Sequence, residues 1–249
     1  MLFFQTPPPT RYDLRFSVAG IPVTVHPLFW LIALLFGSSG DLLLIPVWVG
    51  VIFVSILIHE LGHALAFRRH GQRSQIVLHF AGGLTIPEPV SWGSSYANVA
   101  LSPNQQIFIS LAGPGAGFLL AALVLGGVVL AGGSIITTRL LGLIPLPLTA
   151  RLPFDVGVLN VLVSMLLWVN IFWGIINLMP VYPLDGGNVT RNVLLQADPI
   201  GGVRKSLWVS VVTGALLALA GLIFLRSLFM ALLFGMLAFQ SYQVLQRRY

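Results

Sequence analysis

Residues 42–69 read LLLIPVWVGVIFVSILIHELGHALAFRR, a long apolar run followed by three ionisable side chains and a basic end. A helix over this stretch is long enough to cross a hydrocarbon core of about 30 Å. His59, Glu60 and His63 would then lie inside the bilayer or at its edge, where a charged side chain costs roughly 2.5–3.5 kcal/mol or more. Something must compensate for that cost, and a bound metal ion is the simplest candidate.

The two histidines and the glutamate have the spacing of a metal-binding helix. His59 and His63 are four residues apart and share one helix face, and Glu60 is displaced by one position. Two imidazoles can ligate a metal ion while the neighbouring carboxylate accepts a proton. The alternative, a helix end whose polar side chains reach out of the membrane, leaves three ionisable groups in an apolar run unexplained.

The composition is typical of a polytopic membrane protein. Of 249 residues, 57% are hydrophobic and 8% are charged, and the mean hydropathy is +0.93, whereas soluble domains carry about 25% charged residues. The 13 Lys and Arg residues are spread thinly between apolar runs, so we interpret them as topology signals rather than nucleic-acid contacts. Because the chain has no cysteine, a metal site must be built from His, Asp or Glu.

Several shorter segments are too broken or too short to cross as helices. Residues 14–25 are rich in β-branched side chains around Gly20 to Pro22, which predicts a short strand or hairpin at the membrane surface. Residues 76–86 are apolar but interrupted by two glycines, so they predict a strand or a re-entrant loop. Residues 132–156 are punctuated by Gly and Pro and are compatible with a surface loop, and residues 182–187 predict a turn.

The fold class expected from this pattern is an all-α polytopic membrane protein of about six transmembrane helices. A three-helix catalytic core and a short β-hairpin or re-entrant strand on the cytoplasmic side would complete it. The predicted spans are residues 27–36 with their flanks, 42–67, 107–131, 158–179, 207–225 and 227–245.

The basic residues favour an orientation with both chain termini in the cytoplasm. Six spans with the N-terminus inside leave only Arg139, Arg151 and Arg226 on the outer side. In this orientation the end of the second span and the residues after the fourth span lie at the same membrane face. The ten cytoplasmic residues are Arg11, Arg15, Arg68, Arg69, Arg73, Arg191, Arg204, Lys205, Arg247 and Arg248.

Asp185 is the predicted third metal ligand. It is the acidic residue flanked by helix breakers at the same membrane face as His59 and His63. A catalytic zinc takes three protein ligands and keeps one open position for water. Glu60 would act as the general base that accepts the proton of that water and later donates it to a leaving amine. On spacing alone, an ordinary Asp-Gly turn is an equally good interpretation of Asp185.

Other polar residues in the apolar segments have structural interpretations. Asn170 and Asn177 are one heptad apart and predicted to face the bundle interior, where interhelical hydrogen bonds are favoured over substrate contacts. His26, His70 and His79 are expected at interfaces or in loops and not on the metal.

Two motifs together resemble those of the site-2 protease family of intramembrane zinc metalloproteases. The first is His59-Glu60-Leu61-Gly62-His63 within a span, and the second is Asn177-x-x-Pro180-x-x-Pro183-Leu184-Asp185-Gly186-Gly187. Weaker similarities lie at residues 20–26, 80–83 and 112–114, so the resemblance covers roughly residues 14–200.

The resemblance implies a catalytic core made of the second, third and fourth spans and one Zn²⁺ per chain held by His59, His63 and Asp185. It also implies that Asn177 holds the substrate or polarises its carbonyl. The segment from Phe80 to Ile86 would be an edge strand that pairs with an unwound substrate. The predicted substrate-binding residues are Asn177, Gly82, Gly83, Phe80 and Pro183.

The third span departs from the family pattern at Gly117, where many members carry Asn. Residues 68–105 are too few for a PDZ insertion, and the sequence ends at Tyr249 without a nucleotide-sensing tail. We therefore expect a minimal member with a single intramembrane protease domain over residues 1–249. Its parts would be an N-terminal strand and first span at 14–41, the core at 42–200 and a two-helix hairpin at 201–249.

The predicted function is that of an intramembrane zinc endopeptidase cleaving transmembrane segments of other proteins near the cytoplasmic face. The expected partners are these substrates and the lipid bilayer of a bacterial or archaeal cell. A metal or proton transporter is an alternative, but it would need polar groups through the depth of the bundle and often an internal repeat. An inactive homologue serving as a membrane scaffold is a second alternative, which the Gly117 departure leaves open.

Overall fold

The computed structural model describes residues 7–36, 42–88, 101–140, 144–154 and 156–248. These residues form a mostly helical structure with two small β-sheets. The elements, in chain order, are β1 (Leu14–Val18), β2 (Ile21–Val25), α1 (Pro27–Phe36), a 3-10 turn (Leu42–Leu44), α2 (Ile45–Arg69), β3 (Ser74–His79), β4 (Gly82–Pro87), α3 (Pro103–Leu130), β5 (Ser134–Leu140), β6 (Ile144–Arg151), α4 (Gly157–Asn177), α5 (Asp185–Ala197), α6 (Gly202–Ile223) and α7 (Leu228–Arg248).

Five helices of the described residues, α2, α3, α4, α6 and α7, are long and apolar enough to cross a membrane. The longest are α2 with 25 residues and α3 with 28, against about 20 residues that a hydrocarbon core requires. Helix α1 has 10 residues and is not among the five. The predicted extension of this first span beyond Phe36 lies outside the described residues, so the sixth span stays a prediction.

The chain forms two compact units. Unit 1 comprises Met1–Ala100, Ala112–Thr138 and Pro145–Gly174. Unit 2 comprises Leu101–Leu111, Arg139–Ile144 and Ile175–Tyr249.

Unit 1 contains a four-stranded sheet of order β1-β2-β3-β4. The β1–β2 and β3–β4 pairs are antiparallel, whereas β2 and β3 are parallel because α1 and α2 lie between them in the chain. The tight β1–β2 turn is possible because Ala19 and Gly20 adopt φ values of 52° and 76°. Both predicted strand segments are thus confirmed as strands, and β4 is an edge strand of this sheet.

One apolar cluster fixes this sheet against α2. Val23 and Val25 of β2 and Ile76 and Leu78 of β3 are at most 1% exposed. They have the period of two that turns alternate side chains to one sheet face, and they pack with α1 and α2. The second half of α2 is therefore held against β3 and β4.

In unit 2, α6 and α7 form the predicted helical hairpin. The chain reverses near Arg226, whose φ of 48° is left-handed. The helices approach closely at Gly214, where an added Cβ would lie 3.0 Å from the Cβ of Ala238. Small residues at such contacts let helix backbones approach in a membrane.

Two local predictions differ from the structure. The turn predicted over residues 182–187 is present at residues 182–184, but helix α5 begins at Asp185. The first turn of α5 packs directly against the backbone of residues 178–182. Only glycine fits at Gly186 and Gly187, because a Cβ at either position would stand within 2.6 Å of a backbone atom. Residues 132–156, compatible with a loop, contain instead the two-stranded sheet of β5 and β6. Strand β6 tolerates its prolines because a two-stranded sheet consists of edge strands.

Candidate metal centre

The second half of helix α2 carries two predicted metal ligands and the predicted general base on its buried face. His59, Glu60 and His63 are only 6%, 5% and 8% exposed, respectively. Helix α2 continues without interruption to Arg69, so the i and i+4 positions of the two histidines lie one turn apart. The helical spacing predicted from sequence is confirmed for these residues.

The two imidazoles face each other through the same ring atom. Nε2 of His59 lies 3.2 Å from Nε2 of His63, and the ring centroids are 4.9 Å apart. Two imidazole nitrogens bound to one tetrahedral zinc at 2.0–2.1 Å would be separated by about 3.3 Å. The His59 and His63 pair therefore fits a tetrahedral metal ion without rearrangement of either ring.

Gly113 of α3 makes room for the His63 ring. A Cβ atom at this position would lie 2.2 Å from Nε2 of His63. Gly62, the residue before His63 in α2, lies equally close to α3, since its Cβ would stand 2.3 Å from the carbonyl oxygen of Ala112. The small residues around Pro114 thus permit the close approach of α2 and α3.

The carboxylate of Glu60 is held by strand β4. The Oγ1 hydroxyl of Thr85 donates to Oε2 of Glu60 over 2.7 Å and lies 3.0 Å from the backbone carbonyl of the same residue. Gly83 lies against the same side chain, because a Cβ there would be 2.5 Å from Oε1 of Glu60. The sequence analysis missed Thr85, although its place two residues after Gly83 in a strand puts both on one sheet face.

Phe80 and Gly82 lie at the turn between β3 and β4. The ring of Phe80 is 5.4 Å from that of His79. Gly82 has φ of 118°, a conformation that favours glycine, and its Cβ position is 3.8 Å from Cζ2 of Trp173. Their predicted roles in substrate binding stay predictions.

His26 lies in the connection between β2 and α1, as expected, whereas His79 is the last residue of β3 and not a loop residue. Both side chains are buried, at 8% and 2% exposure. Each ring accepts a hydrogen bond at Nδ1, from the N–H of Leu28 and of Ala81, respectively. Burial lowers the pKa of His79, and the charge of His26 lowers it further. Their imidazoles therefore form part of the packed sheet.

Asn170 of α4 connects two helices of unit 1. Its Nδ2 donates to Oγ of Ser55 and to the carbonyl of Leu166, both over 2.9 Å. Gly117 lies opposite, and a Cβ there would be 3.4 Å from Oδ1 of Asn170. Asn170 is thus an interhelical hydrogen-bonding residue, as predicted. Its partner Ser55 lies on α2, one helical turn before His59.

In unit 2, Asp185 is the first residue of helix α5. A carboxylate in the first helical turn is stabilised by the unpaired N–H groups and the positive end of the helix dipole. Pro183 precedes it in a cis peptide bond with Tyr182, and its carbonyl accepts a hydrogen bond from Asn188. Asn177, the last residue of α4, is 8% exposed.

Two curated proteins are similar to this chain in sequence. A zinc metalloprotease from Methanocaldococcus jannaschii is 27% identical over 221 residues, which are 86% of this chain and 54% of that protein. A relative from Synechocystis is 29% identical over 195 residues, 72% of this chain and 43% of the relative. The chain thus spans about half the length of these curated relatives.

The fold is similar to the solved structure of a site-2 protease from Methanocaldococcus jannaschii. The TM-score is 0.55 at 23% identity, and the match covers 94% of this chain and 95% of the other. At this identity the similarity concerns the fold alone.

The family profile described as peptidase family M50 matches residues 47–220, which include both predicted motifs. The match extends over more than half of the sequence and over several membrane-length helices. The resemblance to site-2 proteases is confirmed for the family and the fold, and the protein is an integral membrane protein. This chain belongs to peptidase family M50.

Proposed function

We propose that the protein is an intramembrane zinc endopeptidase that hydrolyses a peptide bond in the transmembrane segment of another protein, near the cytoplasmic face. The observation that carries this proposal is the buried face of α2. It presents two Nε2 atoms 3.2 Å apart and the carboxylate of Glu60 within one helix long enough to cross a membrane. Ionisable side chains are costly to bury in a membrane, and those found there usually mark a functional site.

His59, His63 and Asp185 are the proposed zinc ligands. Each offers one atom that zinc accepts, an imidazole nitrogen from each histidine and a carboxylate oxygen from the aspartate. Two imidazoles and one carboxylate are a recurring ligand set of catalytic zinc, and they leave one position for water. When bound there, zinc lowers the pKa of water and polarises a carbonyl group.

Glu60 is the proposed general base. Its place beside His59 lets the carboxylate accept a proton from the attacking water and return it to the leaving amine. The hydrogen bond from Thr85 occupies Oε2, and no hydrogen bond described in this structure reaches Oε1. Oε1 is therefore the oxygen that takes the proton.

The proposed substrate-binding residues are Phe80, Gly82 and Gly83 at strand β4, with Asn177 and Pro183. A transmembrane helix uses its carbonyl groups in internal hydrogen bonds, so a substrate must unwind locally before cleavage. Strand β4 ends the four-stranded sheet, and the unpaired N–H and C=O groups of an edge strand can pair with such an extended segment.

The proposed arrangement in the cell is a single protease domain over residues 1–249, with its catalytic core at 42–200 and both termini on the cytoplasmic side of a bacterial or archaeal membrane. The excess of basic residues in the predicted cytoplasmic segments supports this orientation. It places the end of α2 that carries Arg68 and Arg69 at the cytoplasmic face.

The test compares wild type with Glu60→Gln in zinc content and in cleavage of a single-span reporter with helix-breaking residues near its cytoplasmic end. We expect about one zinc per chain in both, with cleavage in wild type only. A reporter whose helix is idealised with Leu and Ala should be cleaved more slowly. Retained cleavage in Glu60→Gln would exclude this residue as the base, whereas bound zinc without cleavage in either protein would favour a scaffold.

A further inference from the structure

We infer that Thr85 is a positioning residue for Glu60, through which edge strand β4 sets the orientation of the general base. This inference deepens the proposed function and rests on it for the identity of the base. The hydrogen bond between the two side chains is observed independently of that function. Both side-chain hydrogen bonds described for Thr85 go to Glu60, so its role would be exerted through that residue.

The first step is the direction of the hydrogen bond. A threonine hydroxyl has one proton, and two acceptors of Glu60 lie within reach, Oε2 at 2.7 Å and the backbone carbonyl at 3.0 Å. The carboxylate is the stronger acceptor and the closer one, so the proton goes to Oε2.

The second step is the rigidity of the donor. Threonine is β-branched and has few χ1 rotamers, and in a strand its side chain stands roughly perpendicular to the sheet. Glutamate has three rotatable bonds, and restricting them costs conformational entropy. The stiff donor therefore selects one orientation of the flexible carboxylate.

The third step is the support from Gly83, two residues earlier on the same sheet face. A Cβ there would lie 2.4 Å from Cγ and 2.5 Å from Oε1 of Glu60. The backbone of β4 thus bounds one side of the carboxylate, while Thr85 holds Oε2 from another. Together these two contacts fix the orientation of the carboxylate and leave Oε1 as the oxygen that accepts the proton.

The fourth step links this contact to substrate docking. In the β3–β4 ladder Thr85 pairs with Ile76 and Gly83 pairs with Leu78, both completely buried. One edge of β4 is therefore fixed by the packed core of unit 1. Its other edge is where the proposed function adds a substrate strand, so the strand that binds the substrate also orients the base.

The experiment compares wild type, Thr85→Val and Thr85→Ser. Valine keeps the shape of threonine without the hydroxyl, and serine keeps the hydroxyl without the methyl group. Thr24→Val, on β2 of the same sheet, is the matched control. With zinc content unchanged, we expect Thr85→Val to lower kcat on the order of 10-fold, in the range for outer-shell hydrogen bonds. KM should stay within about twofold of wild type, and Thr85→Ser should recover most of the loss.

A second readout does not depend on catalysis. The carboxylate stretching band of Glu60 can be isolated by subtracting the infrared spectrum of Glu60→Gln, which is practical because the chain has only 7 Asp and Glu residues. We expect this band to shift in Thr85→Val and to return in Thr85→Ser. Thr24→Val should leave it unchanged.

The outcomes separate the two proposals. A shifted band in a protein that cleaves no reporter would support the positioning role while contradicting the protease. Normal cleavage with an unshifted band and unchanged kcat in Thr85→Val would contradict the positioning role alone. Equal losses in the valine and serine variants would assign the effect to packing of the methyl group and overturn the inference.

Discussion

Gly113 of α3 lies against the imidazole of His63, so closely that an added Cβ would stand 2.2 Å from Nε2 and 2.5 Å from Cε1. The third nearest atom, Cδ2 at 2.7 Å, also belongs to this ring, so the ring must turn or the two helices must separate. Either movement displaces Nε2 from its position 3.2 Å from the corresponding atom of His59. The glycine therefore protects the geometry of the histidine pair.

The first prediction is that Gly113→Ala weakens zinc binding, by about 10–100-fold as for other residues that support metal ligands. Gly115→Ala is the matched control, because nothing lies within 4 Å of a Cβ at Gly115 in the same helix. Zinc retention in competition with a chelator measures both. Equal zinc retention in the two variants would mean that the His63 ring does not depend on this space.

The second prediction concerns metal removal. A ligand that binds only the folded state stabilises it, by about 4 kcal/mol at a concentration 1,000 times its dissociation constant. Dialysis against a chelator should therefore lower the thermal unfolding midpoint in detergent, and added zinc should restore it. His63→Ala should show no response to zinc. His70→Ala, at the C-terminal cap of the same helix, should respond like wild type. A zinc response in His63→Ala would remove this residue from the ligand set.

The third prediction is that Gly62→Ala destabilises the protein by about 1–3 kcal/mol, the range for overpacked contacts. Its Cβ would meet the carbonyl oxygen of Ala112 at 2.3 Å and the Cβ of Ala116 at 2.9 Å, and neither backbone can yield without separating the helices. Gly50→Ala, in the same helix with no atom within 4 Å, should be neutral or slightly stabilising. Unfolding in detergent with increasing denaturant measures both. A neutral Gly62→Ala would contradict the close approach of α2 and α3.

The fourth prediction concerns the stability of the protein between pH 7.5 and pH 4.5. Burial, with the nearby charge of His26, lowers the pKa of His79, so the folded state keeps this ring neutral. The unfolded chain protonates it near pH 6.5. The contribution of His79 to stability is therefore complete above about pH 6.5 and is lost as the pH falls through the lower folded-state pKa.

His79→Asn removes this titration and keeps an acceptor for the N–H of Ala81. We expect its thermal unfolding midpoint to fall less than that of wild type on acidification. Identical pH profiles for the two proteins would show that His79 does not contribute to the acid sensitivity.

The sequence by itself determined the helix that carries His59, Glu60 and His63, because an apolar run and the spacing of four residues are local properties. It also determined the strands at residues 14–25 and the apolar strands near residue 80, since β-branched composition and glycine breaks act over a few residues. Membership of the site-2 protease fold followed from two motifs. Helix α5 was hidden by the prolines and glycines before and within its first turn.

Only the tertiary structure decided which residues support the candidate site. The contact of Thr85 with Glu60 spans 25 positions in the chain, and that of Gly113 with His63 spans 50. Neither residue differs in type from many others in the sequence. Their role arises because the buried face of α2 packs between a sheet edge and a small-residue face of α3, and such packing depends on the shapes of surfaces distant in the chain. Local periodicity determines which face of α2 is functional, and packing determines what holds it in place.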